Sequence, residues 1–430
     1  MDVTFCNFVI AMRVLIVNTA ERTGGAAIAA NRLLHALNHN GVEATMLVRD
    51  RKTDAPDVVN IAPSWRLKAK FLWERGVIWL VNGLNKQNLF QVDIANAGTD
   101  ITSMPEFKQA DVIHLHWINQ GFLSLGNLKR IFDSGKPVVI TLHDQWYFTG
   151  ICHYSGECTM FESRCDKCPM LTRGGIGIDL ARRVFERKRT IYEGRNVTFV
   201  GCSRWMADLA RQGRLTRGLK VTNVPNAIDT DVFTPGDRQA ARERYGLPVE
   251  KRLILFGAQR ITDNRKGFKY LAEACEHITR TNPALASQIG IVVLGGDAQS
   301  VKEALPLPVY PIDYLSNEHD IAQLYQAMDL FVTPSLQDNL PNTIVEAMSC
   351  GVPCVGFDVG GIPEMIDHQR NGYVATYRSS TEFAEGIRWC LDDERHNDLC
   401  RQARDKALAT YSEPIVAKRY QEVYDIAVRS

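Results

Sequence analysis

A chain of 430 residues is well beyond the size at which a single hydrophobic core stops growing, so two domains are predicted. Hydrophobic residues make up 45% and charged residues 23%, ordinary for a globular protein, and a formal net charge of +1 argues against a dedicated nucleic-acid binder. No apolar run reaches the ~20 residues needed to span a bilayer.

The first residues, MDVTFCNFVIAM, lack a basic n-region and carry Asp2, so they do not read as a signal peptide. The folded part is expected to open at Met12, with the first eleven residues an extension or an upstream start. Short continuous apolar runs follow at 13–18, 44–49, 111–117, 137–143 and 197–203, separated by amphipathic segments. Runs of this kind suit parallel strands covered on both faces. After 13–18 comes TAERTGGAAIAANRLLHAL, where Gly24 and Gly25 precede helically spaced Ala26, Ala29, Ala30, Leu33 and Leu37. A double glycine lets backbone approach a ligand at a helix entrance, or simply makes a tight turn. The full G-x-G-x-x-G fingerprint is missing, which argues against a dehydrogenase.

The segment 65–86, WRLKAKFLWERGVIWLVNGLNK, mixes basic residues with Trp73, Ile78, Trp79 and Leu80. It reads either as an interfacial helix that meets a lipid-linked acceptor or as a packed helix with a basic outer face. His114 and His116 share one strand face by period two, and with Trp117 they either line an acceptor pocket or pack the strand end. His143 ends the next strand, where loop residues are placed to hydrogen-bond a sugar or acceptor hydroxyl; a structural histidine is the alternative.

Eleven cysteines include one cluster, Cys152, Cys158, Cys165 and Cys168, and the rest lie scattered in apolar contexts. Scattered cysteines without a signal peptide suggest buried thiols in a reducing cytoplasm. The C-x5-C-x6-C-x2-C spacing fits a structural Zn ion, with His153 as a substitute ligand. Two disulfides or a redox pair, or unligated thiols packing a loop, are also compatible with it.

Near 224–237, Pro225, Pro235 and Gly236 interrupt the periodicity, and the strand pattern restarts at 252–258, 291–296, 329–335, 352–357 and 372–376. The expectation is an α/β fold of two doubly wound Rossmann-like units in series, 12–225 and 226–412, with ligands bound in an interdomain cleft beyond the strand ends. A Cys-rich insert at 150–170 falls in the first unit, and the last segment, 413–428, reads as another amphipathic helix after Pro414.

In the second half, Arg260 and Lys266 flank a polar strand-to-helix loop; they can neutralise a diphosphate, Arg as a fork and Lys as a point charge, or are simply an exposed solvated pair. Downstream, TPSLQDNLPNTIVEAMSCG reads as a strand end, a polar loop and a helix starting at about Pro341. Asp338 lies in the loop, and Glu346 roughly 8 Å along the helix at ~1.5 Å per residue. Two carboxylates so spaced can hold hydroxyls at opposite ends of an extended ligand such as a sugar nucleotide; an ordinary capped helix with a surface Asp and a solvated Glu is the alternative. The helix start between them offers free N–H groups and a positive dipole to an anion.

The order R-x5-K-G, acid-x7-E followed by AMSCG, VPCVGFDVGGIPEMI and NGYVA resembles the family 4 retaining glycosyltransferases of the GT-B fold, over essentially the whole chain from Met12. That resemblance implies a nucleotide-sugar donor held mainly by the C-terminal domain, an acceptor on the N-terminal domain, and a last helix that crosses back. It assigns the diphosphate to Arg260 and Lys266, the ribose to Glu346, and the transferred sugar to Asp338, where the family normally has Glu. Asn339 and Leu340 join the donor-binding set, Gly25 is placed by the phosphate or acceptor, and His143 near the sugar hydroxyls. The QDNLPN variant and the Cys-rich insert resemble a subgroup among bacterial polysaccharide-building enzymes.

The resemblance further implies a front-face substitution in which the leaving phosphate takes the acceptor proton and Asp338 positions the sugar. No metal is then required for transfer, since Arg260 and Lys266 supply the cations. The expected partners are a nucleotide-sugar donor and a glycan or lipid-linked acceptor, with peripheral contact at the inner face of the membrane and no nucleic acid. Two rivals share the diphosphate contacts: a sugar-nucleotide epimerase of similar architecture and a non-catalytic sugar-nucleotide binder.

Overall fold

A computed structural model of the chain describes residues 12–61, 64–171 and 177–429. The proposed N-terminal extension lies outside the described residues.

Two compact units emerge. The first comprises residues to Gly201, then Ala207–Val224 and the chain from Ala417; the second comprises Cys202–Met206 and Pro225–Val416. The first unit is built on β1 (Arg13–Ala20), β2 (Glu43–Asp50), β3 (Val58–Asn60), β4 (Val112–Leu115), β5 (Val138–Leu142), β6 (Val197–Gly201) and β7 (Lys220–Asn223). These pair in parallel in the order β3-β2-β1-β4-β5-β6-β7. The second is built on β8 (Arg252–Gly257), β9 (Ile289–Leu294), β10 (Val309–Ile312), β11 (Leu330–Thr333), β12 (Cys354–Phe357) and β13 (Gly372–Ala375). Their order is β10-β9-β8-β11-β12-β13, again all parallel.

The continuous apolar runs have the physical cause expected of them. In β8, Leu253 and Leu255 enter the hydrophobic core on one face of the sheet, whereas Ile254 and Phe256 enter the core on the other. β11 divides likewise, with Phe331 on the first face and Leu330 and Val332 on the second. A strand that feeds two cores has no polar face, so the period-two alternation disappears from its sequence.

Three strands escaped the apolar-run criterion: β3, β7 and β10, each at a sheet edge. Edge strands are short and half-solvated, and they tolerate residues such as Asn60, Lys220 and Pro311 that a central strand excludes.

The last helix, Glu413–Val428, starts in the second unit and ends in the first. Its later residues are tied into the first unit's polar core: Tyr424 OH lies 2.8 Å from His114 Nδ1, and Tyr420 OH 2.9 Å from Thr141 Oγ1. His114 Nε2 closes that network at 2.7 Å from Thr141 Oγ1. His114 is therefore a buried structural residue, and burial pushes its imidazole down to about 3.

Candidate functional site: a switch-point site in the second unit

Strand order places the second unit's site. The chain leaves β8 toward one face of the sheet and β11 toward the other, and these strands are neighbours, so their carboxyl-end loops border one crevice. The β8 loop carries Arg260 and Lys266; the β11 loop carries Asp338, Asn339 and Leu340.

The two loops are locked together by backbone. Leu336 N donates to Arg265 O at 2.7 Å. Gly267 takes φ +70°, and a Cβ there would collide with the Pro334 carbonyl, so glycine is needed where one loop crosses the other. Asp263 caps the intervening 3-10 turn, Asn264–Lys266, by accepting from Arg265 N at 3.0 Å. Burial opposes the charge of Asp263, but the Arg265 backbone and side-chain hydrogen bonds bring its carboxyl below the usual range.

Within this frame Lys266 Nζ donates to Asp338 Oδ2 at 2.7 Å. Both side chains are partly accessible, 30% and 16%, so the pair is open to a ligand. Arg260 is exposed on the same loop. Asn339 and Leu340 are buried at the next step of the chain, and Asn339 Oδ1 accepts from Ser203 Oγ at 2.6 Å.

The helix expected from Pro341 runs Asn342–Ser349. Pro341 is its cap residue with extended ψ 118°, not part of the first turn, and no side chain caps the helix. Glu346 sits on the buried face, 6% exposed, where Oε2 accepts from Tyr325 OH at 3.1 Å. Burial, then the Glu346 charge, hold the Tyr325 phenol well above its usual value, so it is a permanent donor here. Sequence reasoning missed Tyr325: it lies 21 residues upstream with no local signal linking it to the acid.

Gly360 and Gly361 form the far wall. Gly360 adopts φ +62°, and Cβ atoms at the two positions would collide with the carbonyl oxygens of Asp338 and Asn339. The GGIPE segment is thus a backbone brace for the Asp338 loop. Glu364 of the same segment accepts from Arg204 N at 2.8 Å and Trp205 N at 2.7 Å, satisfying first-turn amides of the Arg204–Gln212 helix. A neighbouring hollow of about 520 Å³ is lined by Arg204, Glu364, Asp367, Arg370 and Lys406. Lys406 is already paired there with Asp367 at 2.7 Å, and neither Lys266 nor Asp338 reaches it.

The first unit repeats the topology, with its own switch point between β1 and β4. Gly25 opens the Gly25–His39 helix; Gly24, with φ +90°, is its cap residue, no side chain caps the helix, and the space a Cβ would take at either glycine is open. His143 follows β5, and its Nε2 lies 2.8 Å from His116 Nδ1. Burial pushes His143 down to about 4, only partly opposed by Asp144, and pushes His116 down well below its ordinary value. Both are neutral imidazoles at pH 7. His116 Nε2 is buried without a partner.

Cys152, Cys158, Cys165 and Cys168 are free, and no group of His, Cys, Asp or Glu among the described residues is arranged to hold a metal ion. Cys165 Sγ instead accepts from Gly150 N at 3.2 Å. Burial raises the Cys152 thiol to about 12 and Cys165 to about 11. His153, considered as a substitute ligand, has both ring nitrogens engaged, by Asp144 Oδ2 at 2.7 Å and Asp93 Oδ2 at 2.6 Å.

Residues 23–232 match the family model described as Glycosyltransferase Family 4, and residues 250–393 that described as Glycosyl transferases group 1. Two glycosyltransferase family models thus match successive stretches of the chain. A D-inositol 3-phosphate glycosyltransferase of Stackebrandtia nassauensis is 31% identical over 196 residues, covering 43% of each chain. An N-acetyl-alpha-D-glucosaminyl L-malate synthase of Bacillus anthracis is 24% identical over 211 residues, 47% of this chain and 53% of that one. The chain thus spans about half the length of the curated relatives it matches. Among solved structures, Anabaena HepE in complex with UDP superposes with a TM-score of 0.62 at 17% identity, over 96% of this chain and 100% of that one. At that identity the likeness speaks for the fold, which is GT-B; the two stretches matched by the family models take in the strands of both parallel sheets except β1.

Proposed function

We propose that the protein is a retaining glycosyltransferase that moves a sugar from a nucleoside-diphosphate sugar to a glycan or lipid-linked glycan acceptor, in bacterial surface polysaccharide synthesis on the cytoplasmic side. The observation that carries this reading is the Lys266–Asp338 pair at the switch point, beside an uncapped helix start. The UDP bound by Anabaena HepE is consistent with a nucleoside diphosphate donor.

In this reading the donor diphosphate takes Lys266 from Asp338 and engages Arg260 and the amides of the Asn342–Ser349 helix start. Cations and oriented N–H groups stabilise the charge that builds on the β-phosphate as the bond from the anomeric carbon to oxygen breaks. Asp338, released from Lys266, accepts a hydrogen bond from a sugar hydroxyl. Glu346, oriented by Tyr325, binds the ribose; Asn339 and Leu340 shape the wall, and Gly25 gives backbone access at the first unit's helix start. His143, neutral at working pH, hydrogen-bonds a sugar hydroxyl. The acceptor oxygen bonds to the anomeric carbon on the face the phosphate leaves, and its proton passes to the departing phosphate oxygen. No step calls for a metal ion.

Incubation with uridine, guanosine and adenosine diphosphate sugars, with and without glycan acceptors, tests the reading through nucleotide release and the anomeric configuration of the product. Release with retention supports it. Isomerised sugar nucleotide without release would indicate an epimerase, and binding without turnover a sensor. A trapped sugar adduct on Asp338 would refute the positioning role.

A further inference from the structure

The Ser64–Val81 helix is apolar on two opposite sides. Its inner side is fixed to the first unit. Leu67, Ile78 and Val81 are buried there, Glu74 Oε1 accepts from Ile94 N at 2.9 Å and Ala95 N at 2.6 Å, and Arg75 pairs with Asp93. The outer side carries Trp65, Leu72, Trp73 and Leu80, at intervals of seven, one and seven residues, which place them on one stripe. Leu84 and Phe90, just beyond the helix, extend it. All six are more than half exposed, from 52% for Leu80 to 65% for Leu72.

Charge around the stripe is one-sided. Arg66, Lys68 and Lys86 are exposed, whereas the only acid between residues 64 and 92 is Glu74, which faces inward and is fully buried. Arg66 lies over the Trp65 ring at 5.1 Å, and Trp79 Nε1 donates to Leu84 O at 2.7 Å, which holds the loop against the helix. No helix among the described residues is long and apolar enough to cross a membrane. An outward stripe of Trp, Leu and Phe flanked along the chain by exposed cations and no exposed acid, on a helix that cannot span, has the chemistry of a segment that lies in the interface of an anionic bilayer. A second copy of the chain, with net charge +1, offers no excess of acid to match it.

We infer that this stripe docks the protein peripherally on an anionic lipid surface, with Trp65, Leu72, Trp73 and Leu80 entering the headgroup region and Arg66, Lys68 and Lys86 meeting lipid phosphates. This stands whether or not the protein transfers sugar, because its readout is vesicle binding.

The test is flotation of the full chain with phosphatidylcholine vesicles, with and without phosphatidylglycerol, alongside tryptophan emission. The wild type is expected to float only with the anionic vesicles and to shift its emission to the blue. Trp73→Glu with Leu80→Glu should lower binding at least about tenfold. Arg66→Gln, Lys68→Gln and Lys86→Gln together should do the same without touching the apolar stripe. Val249→Glu, an exposed apolar position in the second unit, should change nothing. Thermal midpoints check that the variants are folded. The proposal is overturned if the wild type fails to float, if it floats equally on neutral vesicles and the stripe variants float with it, or if sedimentation shows a dimer that the stripe variant converts to monomer.

Discussion

Lys266 and Asp338 come from loops 72 residues apart in the chain, yet Nζ and Oδ2 stand 2.7 Å apart at the switch point of the second sheet. A partly exposed ion pair of this kind adds only about 0.2–1 kcal/mol to folding. On the proposed reading, an arriving diphosphate captures the cation and frees the acid.

Lys266→Ala should therefore lower donor turnover by about a hundredfold, the scale seen when one group that stabilises a developing oxyanion is removed. Folding stability should move by less than about 1 kcal/mol. Nucleotide-release assays set beside urea melts check both halves, and turnover within about twofold of wild type would remove Lys266 from the diphosphate site.

Tyr325→Phe deletes the phenol that donates to Glu346 Oε2 and so removes a hydrogen bond from a buried carboxylate. The expected loss is about 1–3 kcal/mol of stability. Affinity for nucleoside diphosphates should fall with it, because the carboxylate loses its orientation. Calorimetric titration with UDP or GDP reads the affinity and a denaturant melt the stability.

Gly360→Ala puts a side chain at φ +62° and against the Asp338 carbonyl. Relief requires the Asp338 loop to move, so donor binding should be lost with a destabilisation of about 2 kcal/mol or more. The same change at Gly135, where φ is +74° but the space is open, carries the strain alone and should leave donor binding intact.

His153 lies buried between Asp144 and Asp93. Burial disfavours its charge, yet the two carboxylates, Asp144 first, raise it to about 10. A raised folded value means that the stabilisation is fully present below the unfolded value of ~6.5 and is lost as pH rises toward 10. Thermal midpoints should decline across that window, and His153→Gln should flatten the decline while lowering stability near pH 6.

The doubly wound architecture was legible because central parallel strands leave long apolar runs, and β8 and β11 show the two cores that require them. The edge strands β3, β7 and β10 were not, since half-solvated edges impose little on composition. That Arg260 and Lys266 share one strand-to-helix loop, and that Asp338 and Glu346 lie either side of a helix start, was legible from the pattern of strand, polar loop and helix. The cysteine spacing favoured a metal but left disulfides and free thiols open, because spacing records how far apart ligands lie along the chain, whereas coordination depends on where their sulfurs point.

By itself the sequence determined the layering of each unit and the residue types at the second unit's loop ends, because burial on both faces and a polar strand-to-helix loop are local demands on composition. Only tertiary structure decided which groups meet. Lys266 finds Asp338, Tyr325 finds Glu346, His143 finds His116, and Gly360 finds the Asp338 carbonyl through strand order, and strand order is set by long-range packing that leaves no periodic trace along the chain.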